Sequence, residues 1–335
     1  MAEGAPAGRC LAMIPDLTDK MGCVTLPKSK RRGVMAREKQ PRQIHQMTIK
    51  QFEASFPNED ACDAYLVAHR WPNGVRCPRC GGERVYPLKT MKFKWECPDC
   101  SPKGYRFSDI AGTIFENTNV NLREWFRVIH LMLTAKKGIS ARQVHRYMGF
   151  GSYKTAWYMC HRIRAALQDK EFQKLIGAVE VDETWIGGKA KNKHGGHDHK
   201  GRGPGGKTPV IGAIERKGNV VARVLSRTSQ YTLQSFIHET VSDKVSLLAT
   251  DEHGGYKAMK GFPQHRTVNH KAKEYVVGAV HTNTIEGFWS LFKRGIMGSF
   301  HKVSKKYLPL YVAEFEFRYN NRHNPKIFEA AIAGC

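Results

Sequence analysis

From Leu122 onward the apolar residues recur at helical spacing. Leu122, Trp125, Phe126, Ile129, Met132 and Leu133 fall on one face, and Gly138 is placed to end that helix. Ser140 can cap a second helix, with Gln143 three residues on completing a capping box, and Gly149 ends it. Ser152 opens a third, whose inner face would be Ala156, Met159, Ile163 and Leu167. Short helices joined by tight glycine-containing turns predict a helix-turn-helix. Beyond Gly177 the period changes. Residues 178–186, 209–214 and 219–225 read as strands, with Lys217, Gly218 and Asn219 as turn residues. Thr232–Val241 predicts a helix, Val245–Thr250 a buried strand ending at Asp251, and further helices run from about Asn283 to Phe292 and Pro309 to Asn321. Strands first and helices alternating afterwards predict a mixed α/β core around one sheet. Upstream, Thr48–Trp71 has helical spacing in Phe52, Phe56, Ala61, Tyr65 and Leu66, whereas residues 1–45 show no sustained period.

This pattern divides the chain into a flexible basic arm (1–47, carrying Lys28, Lys30, Arg31 and Arg32), a helix plus a cysteine-bearing ribbon (48–110), a helix-turn-helix (120–170) and an α/β core (177–330). Charge changes the picture most. Lys and Arg number 54 against 30 acidic residues, a net +24, and such an excess costs self-repulsion unless a polyanion relieves it. The basic residues are spread along the chain rather than along one amphipathic helix, which argues against a membrane surface. No apolar run approaches the roughly 18–20 residues that cross a bilayer, and the N-terminus lacks the pattern of a secretory signal. A cytoplasmic, reducing compartment is expected, so the nine cysteines do not suggest a disulfide framework.

Four of them have metal spacing. Cys77-Pro-Arg-Cys80 and Cys97-Pro-Asp-Cys100 are two knuckles separated by 16 residues, each able to present two thiolates to one ion, and together they suit a tetrahedral structural zinc. Between them Val85, Tyr86, Met91, Phe93 and Trp95 alternate as the short strands of a ribbon would. Four thiolates leave no open position for water, so the ion is expected to be structural, not catalytic. On the third helix, Lys154, His161, Arg162 and Arg164 lie largely off the apolar face, interleaved with Tyr153, Trp157 and Tyr158. That arrangement suits contact with DNA in the major groove, although a solvated basic face would look the same.

Candidate chemistry lies at strand ends. Asp182 stands within the first core strand, Asp251 where an apolar strand ends, and Glu286 near the start of a helix, with 34 residues between it and Asp251. Three carboxylates brought together could hold two divalent cations, and oxygen-only ligands favour Mg²⁺ or Mn²⁺. Each acid also has a plainer explanation: Glu286 fits a helix-dipole acid, and Asp182 has acidic neighbours in Glu180 and Glu183. By alternation Glu180 and Asp182 share one strand face and Glu183 takes the other. Lys293, seven residues after Glu286, shares its helix face.

Taken in order, CPRC…CPDC, GISARQVHRYMGFGSYKTAWYMCHRIR, VEVDETWIGGK, ATDEHGGY and HTNTIEGFWSLFKRGIMGSFHKVS resemble the zinc-ribbon DDE-type insertion-sequence transposases, relatives of the Merlin superfamily, over roughly residues 48 to 330. The resemblance implies an RNase H-like core, with Asp182, Asp251 and Glu286 as the catalytic, metal-binding acids and Lys293 as an accompanying basic residue. Some relatives carry asparagine in place of the third acid, so Asn283 is a possible additional site residue. His281, just before that helix, fits either phosphate contact or capping. The stretch Lys189–Lys207, with His194, His197 and His199, reads as a basic hairpin tip following DNA, with a second metal site as the alternative. The expected function is binding of the element's terminal inverted repeats, cleavage of its ends and transfer of the 3′-hydroxyl strands to target DNA, by a homodimer or higher assembly. A DNA-binding regulator, and a nuclease that cuts without joining, are the alternatives.

Overall fold

The computed structural model describes residues 47–100, 102–168, 172–188, 206–252, 254–256, 259, 261–268 and 281–335. The basic arm and the histidine-bearing stretch after Gly188 fall outside these residues, up to Gly205 in the latter case.

The helical run predicted before the cysteines is two helices, α1 (Ile49–Ser55) and α2 (Glu59–Arg70), broken at Pro57. Thr48 and Gln51 form a complete capping box on α1, and Asn58 caps α2 through the Ala61 amide. A three-stranded antiparallel ribbon follows: β1 (Tyr86–Pro87), β2 (Lys94–Cys97) and β3 (Tyr105–Ser108). Then come α3 (Leu122–Thr134), α4 (Ala141–Met148) and α5 (Tyr153–Ala166). Ser140 caps α4 through the Gln143 amide, but the Gln143 side chain turns away to Tyr147 Oη at 2.7 Å, so the expected capping box is half made.

The second half is built on five strands, β4 (Ala178–Ile186), β5 (Thr208–Glu215), β6 (Val220–Val224), β7 (Leu247–Asp251) and β8 (His265–Val268), in the order β6-β5-β4-β7-β8. β4, β5 and β6 run antiparallel; β7 lies parallel to β4, and β8 parallel to β7. This mixed order is that of an RNase H-like core. α6 (Gln230–Thr240) covers one face, packing Leu233, Phe236 and Ile237 on Val179, Val181 and Ile211. α7 (Asn283–Gly295) and α8 (Leu308–Asn320) cover the other, packing Ile285, Trp289, Phe292 and Val312 on Val210, Ile214 and Val220. A π-helical turn, Ile296–Phe300, continues α7, and α9 (Ile327–Ala333) ends the chain.

α1 and α2 precede the ribbon in sequence but join the helical core in space. Phe52, Phe56, Cys62 and Leu66 pack with Trp125, Phe126, Ile129 and Met132, and Phe328 of α9 completes the cluster. The ribbon keeps a small core of its own around Phe107 and its cysteines, with Trp71 and Trp95 packed against it.

The structure corrects two of the DNA-binding residues expected on α5. Arg164 is 1% exposed, and its Nε donates to Glu314 of α8 at 2.7 Å; Arg318, also buried, lies 3.5 Å from the same carboxylate. His161 is buried against the rings of Trp157 and Tyr307, and burial pushes its pKa down to about 4, so it is neutral at neutral pH. Helical spacing puts both off the face of Ala156 and Met159, yet α8 covers that second face. Arg162 donates to the Glu116 carbonyl at 3.0 Å, whereas Lys154 is exposed.

An ion pair this deeply buried leaves an uncompensated charge when one partner is lost. Arg164→Ala should therefore cost about 3 kcal/mol of unfolding free energy in urea denaturation. A loss below about 1 kcal/mol would mean that the triad does not fasten α5 to α8.

Candidate active site

Four cysteine sulfurs converge in the ribbon. Cys77 Sγ lies 3.7 Å from Cys100 Sγ, and Cys80 Sγ 3.6 Å from Cys97 Sγ. A tetrahedron of thiolates about 2.3 Å from a zinc ion has edges of about 3.8 Å, so the sulfurs are spaced as that ion needs. The first knuckle is shaped by its backbone: the Gly81 amide donates to the Cys77 carbonyl at 2.8 Å, and the Cys77 amide to the Gly82 carbonyl.

The second cluster sits at the end of the central sheet. The ladder between β4 and β7 ends at the Glu180–Ala249 pair, so the next residues of the two strands are no longer hydrogen-bonded to each other. Asp182 and Asp251 flank that opening. Asp182 and Glu183 point to opposite faces of β4, yet their carboxylate oxygens and one of Asp251 all lie within 4.8 Å of one another. Glu183 also accepts a hydrogen bond from the buried Tyr256 hydroxyl. Sequence alternation set Glu183 aside as belonging to the far face; the end of the ladder is what brings it back, and no period along one strand reveals where a ladder stops.

Glu286 is exposed on the first turn of α7 and accepts from Thr282 Oγ1 at 3.2 Å. It stands near the three clustered acids rather than within their 4.8 Å group. Lys293 is exposed two turns along the same helix. Both are felt at Asp182. Burial pushes Asp182 up to about 6, the charges of Asp251 and Glu286 add to that rise, and the Glu183 backbone and Lys293 oppose it. Burial likewise pushes Glu183 up to about 7, with the Tyr256 hydrogen bond opposing and the charges of Asp251 and Asp182 adding. A cluster of hard oxygen donors that resists shedding its protons fits a divalent cation, whose charge would remove the repulsion.

What holds α7 over this cluster is Glu180, fully buried on β4. Its Oε2 accepts from the Thr284 and Ile285 amides at 2.8 and 3.1 Å, two donors that every helix leaves unsatisfied at its start. Its Oε1 accepts from Thr284 Oγ1 and from Arg216 Nε at 2.9 and 2.7 Å. Arg216 also donates to the His281 carbonyl, and His281 Nδ1 lies 3.1 Å from Glu180. His281 thus stands just before the helix start, beside Glu180. Asn283 is exposed as the first residue of α7. Opposite Asp182 on β5 stands Gly212, where a Cβ would come within 2.7 Å of the Trp289 ring, so α7 can lie directly on the sheet.

Two family models match this chain. An ISXO2-like transposase domain covers residues 174–320, which span the sheet, both acid-bearing strands and α7. A transposase zinc-ribbon domain covers residues 57–103, with all four cysteines. Both regions are thus similar to domains of transposases. The chain is similar to a protein of the transposable element ISH50 of Halobacterium salinarum, 29% identical over 281 residues that make up 79% of this chain and 92% of that one. A solved simian T-cell lymphotropic virus intasome, in complex with the PP2A regulatory subunit B56 gamma, overlaps 52% of this chain and 67% of its own at 14% identity, with a TM-score of 0.25, a likeness too slight to bear on the fold. Among the described residues no helix is long and apolar enough to cross a membrane.

Removing the buried carboxylate should loosen the protein where α7 begins. In Glu180→Ala the Thr284 and Ile285 amides should exchange with solvent about tenfold faster or more, and Glu180→Gln, which keeps an acceptor oxygen, should fall between it and the wild type. Wild-type protection in both variants would show that α7 is held in some other way.

Proposed function

We propose that the protein is an active DNA transposase that cuts the ends of its element and joins the freed 3′-hydroxyls to target DNA, at the acid cluster between β4 and β7. The observation that carries this reading is the convergence of Asp182, Glu183 and Asp251 within 4.8 Å, in a domain matched to transposases. Asp182, Asp251 and Glu286 serve as the catalytic acids and hold the Mg²⁺ or Mn²⁺, with Glu183 as a further ligand. Divalent cations bound there supply Lewis acidity to the attacking and leaving oxygens of an in-line phosphoryl transfer. The chain's own part is to orient. Glu180 sets the first turn of α7, α7 presents Glu286 toward the cluster, and Lys293 offers a positive charge to a phosphate on the same exposed face. Cys77, Cys80, Cys97 and Cys100 hold a structural zinc that fixes the ribbon. The net charge of +24 suits duplex DNA carrying the element's terminal inverted repeats as the partner. Two ends must be cut and joined together, which calls for a homodimer or higher assembly on DNA.

Labelled DNA carrying the element's own ends, incubated in Mg²⁺, provides the test. Wild type should cut and join, whereas Asp182→Ala, Asp251→Ala and Glu286→Ala should bind DNA and lose at least about a hundredfold in cleavage. Cutting without joining would point to a nuclease, and binding without cutting to a regulator.

The acids also make metal binding pH-dependent. A carboxyl whose pKa is higher folded than unfolded binds more protons in the folded state. The metal-free core should therefore lose stability as pH rises between about 4 and 7. A cation that displaces those protons reverses the loss. Millimolar Mn²⁺ should raise the melting temperature by several degrees at pH 8 and by little at pH 5, and Asp182→Asn with Glu183→Gln should abolish the pH 8 increment. An increment unchanged in that double variant would place the cation elsewhere.

A further inference from the structure

A cleft of about 720 Å³ lies between α4 and the π-helical turn that follows α7. Arg142, Arg146 and Tyr147 line it from α4, Tyr153 from the start of α5, and Gly298 and Lys302 from the other wall. No Asp or Glu is among its lining residues. Arg142, Arg146 and Lys302 are all exposed and form no ion pair among the described residues, so three cations gather in one concavity without compensation. Large aromatic surface is open beside them: Tyr147 is 63% exposed and Tyr153 42%, with the Arg142 guanidinium 5.9 Å from the Tyr153 ring centre. The cleft is already formed. Gly138, at φ +79°, lets the turn between α3 and α4 touch the π turn, since a Cβ there would come within 2.6 Å of the Phe300 ring.

We propose that this cleft binds an unpaired stretch of DNA strand beside the cut, an inference that rests on the transposase reading above. Uncompensated cations call for phosphates, and a duplex surface would need nothing more. Open aromatic faces set among those cations are what splayed bases stack on, at a site that follows the backbone of a single strand. The position fits the reaction. Glu286 and Gly298 are twelve residues apart on one nearly continuous helix, about 18 Å at 1.5 Å per residue. A strand with its scissile phosphate at the acids therefore reaches the cleft about five nucleotides away at stacked spacing.

Fluorescence anisotropy on the full chain, with metal ions chelated weakly enough to leave the ribbon intact, separates the possibilities. The probes are a blunt duplex of the element end and the same duplex with a five-nucleotide unpaired arm. Arg142→Glu with Arg146→Glu should weaken binding of the armed DNA about tenfold or more. Tyr147→Ala with Tyr153→Ala should weaken it about fivefold. Both variants should bind the blunt duplex within about threefold of wild type and keep its melting temperature. Lys302→Glu, on the opposite wall, repeats the test should the α4 variant prove unstable. Equal losses on both probes, or wild-type affinity for the armed probe, would overturn the cleft assignment while leaving the transposase reading standing. A wild-type chain that binds neither probe would sink both.

Discussion

Glu180 is a charge taken fully out of water between a sheet and a helix, and the arrangement of the α/β half follows from how that charge is satisfied. A carboxylate in such a place is expensive to desolvate unless every lone pair finds a donor. Here two backbone amides, one hydroxyl and one guanidinium supply them. Three of those donors belong to the start of α7, whose own N-cap residue, Thr282, makes no side-chain capping bond. The helix therefore takes its cap from a strand more than a hundred residues earlier in the chain, and the favourable field of an anion at a helix N-terminus comes with it. Since Asp182 stands two residues along the same strand and Glu286 in the same first turn, one buried group sets the distance between the proposed acids.

The same strand shows what a sequence reveals and what it withholds. β4, β5, β6 and β7 were legible because each carries β-branched residues between turn signals, and α3, α4 and α5 because their apolar spacing and caps agree. The two cysteine knuckles were legible because metal spacing is local. β8 was not: His265-Arg266-Thr267-Val268 has only one apolar residue, and it pairs solely because β7 offers an edge. α9 was not read as an element either, although Phe328 sits at the centre of an aromatic cluster with Phe52, Phe56 and Phe126. Its partners come from the opposite end of the described chain, and no local pattern contains them.

Charged side chains on α5 illustrate the limit most sharply. A helical period separates one covered face from the rest, but it cannot say whether a second element covers the remainder. Lying off the apolar face, Arg164 and His161 suit DNA contact by sequence alone, whereas α8, some 150 residues later, packs over them. Glu183 failed in the opposite sense. Alternation places its side chain on the correct face of β4, but carries no sign that the ladder to β7 stops at Glu180, three residues earlier, or that Glu183 therefore meets Asp182. In both cases local geometry was right and tertiary context changed its meaning.

The buried contacts that take Arg164 and His161 out of reach of DNA give the helical unit a fixed place on the core. Arg164, Glu314 and Arg318 fasten α5 to α8, and the Gly138–Phe300 contact fastens the turn before α4 to the extension of α7. These two attachments adjoin each other, since a Cβ at Gly138 would also come within 3.2 Å of Glu314, and Gly138 and Phe300 line the basic cleft. A DNA strand held there would be registered against α7, and through Glu180 against the acids on β4 as well. Had the helical unit hung on a flexible linker, binding and cutting would be tied only by effective concentration. Packed as they are, the choice of which phosphate reaches the acids becomes a matter of rigid geometry, a condition that phosphoryl transfer by positioning requires.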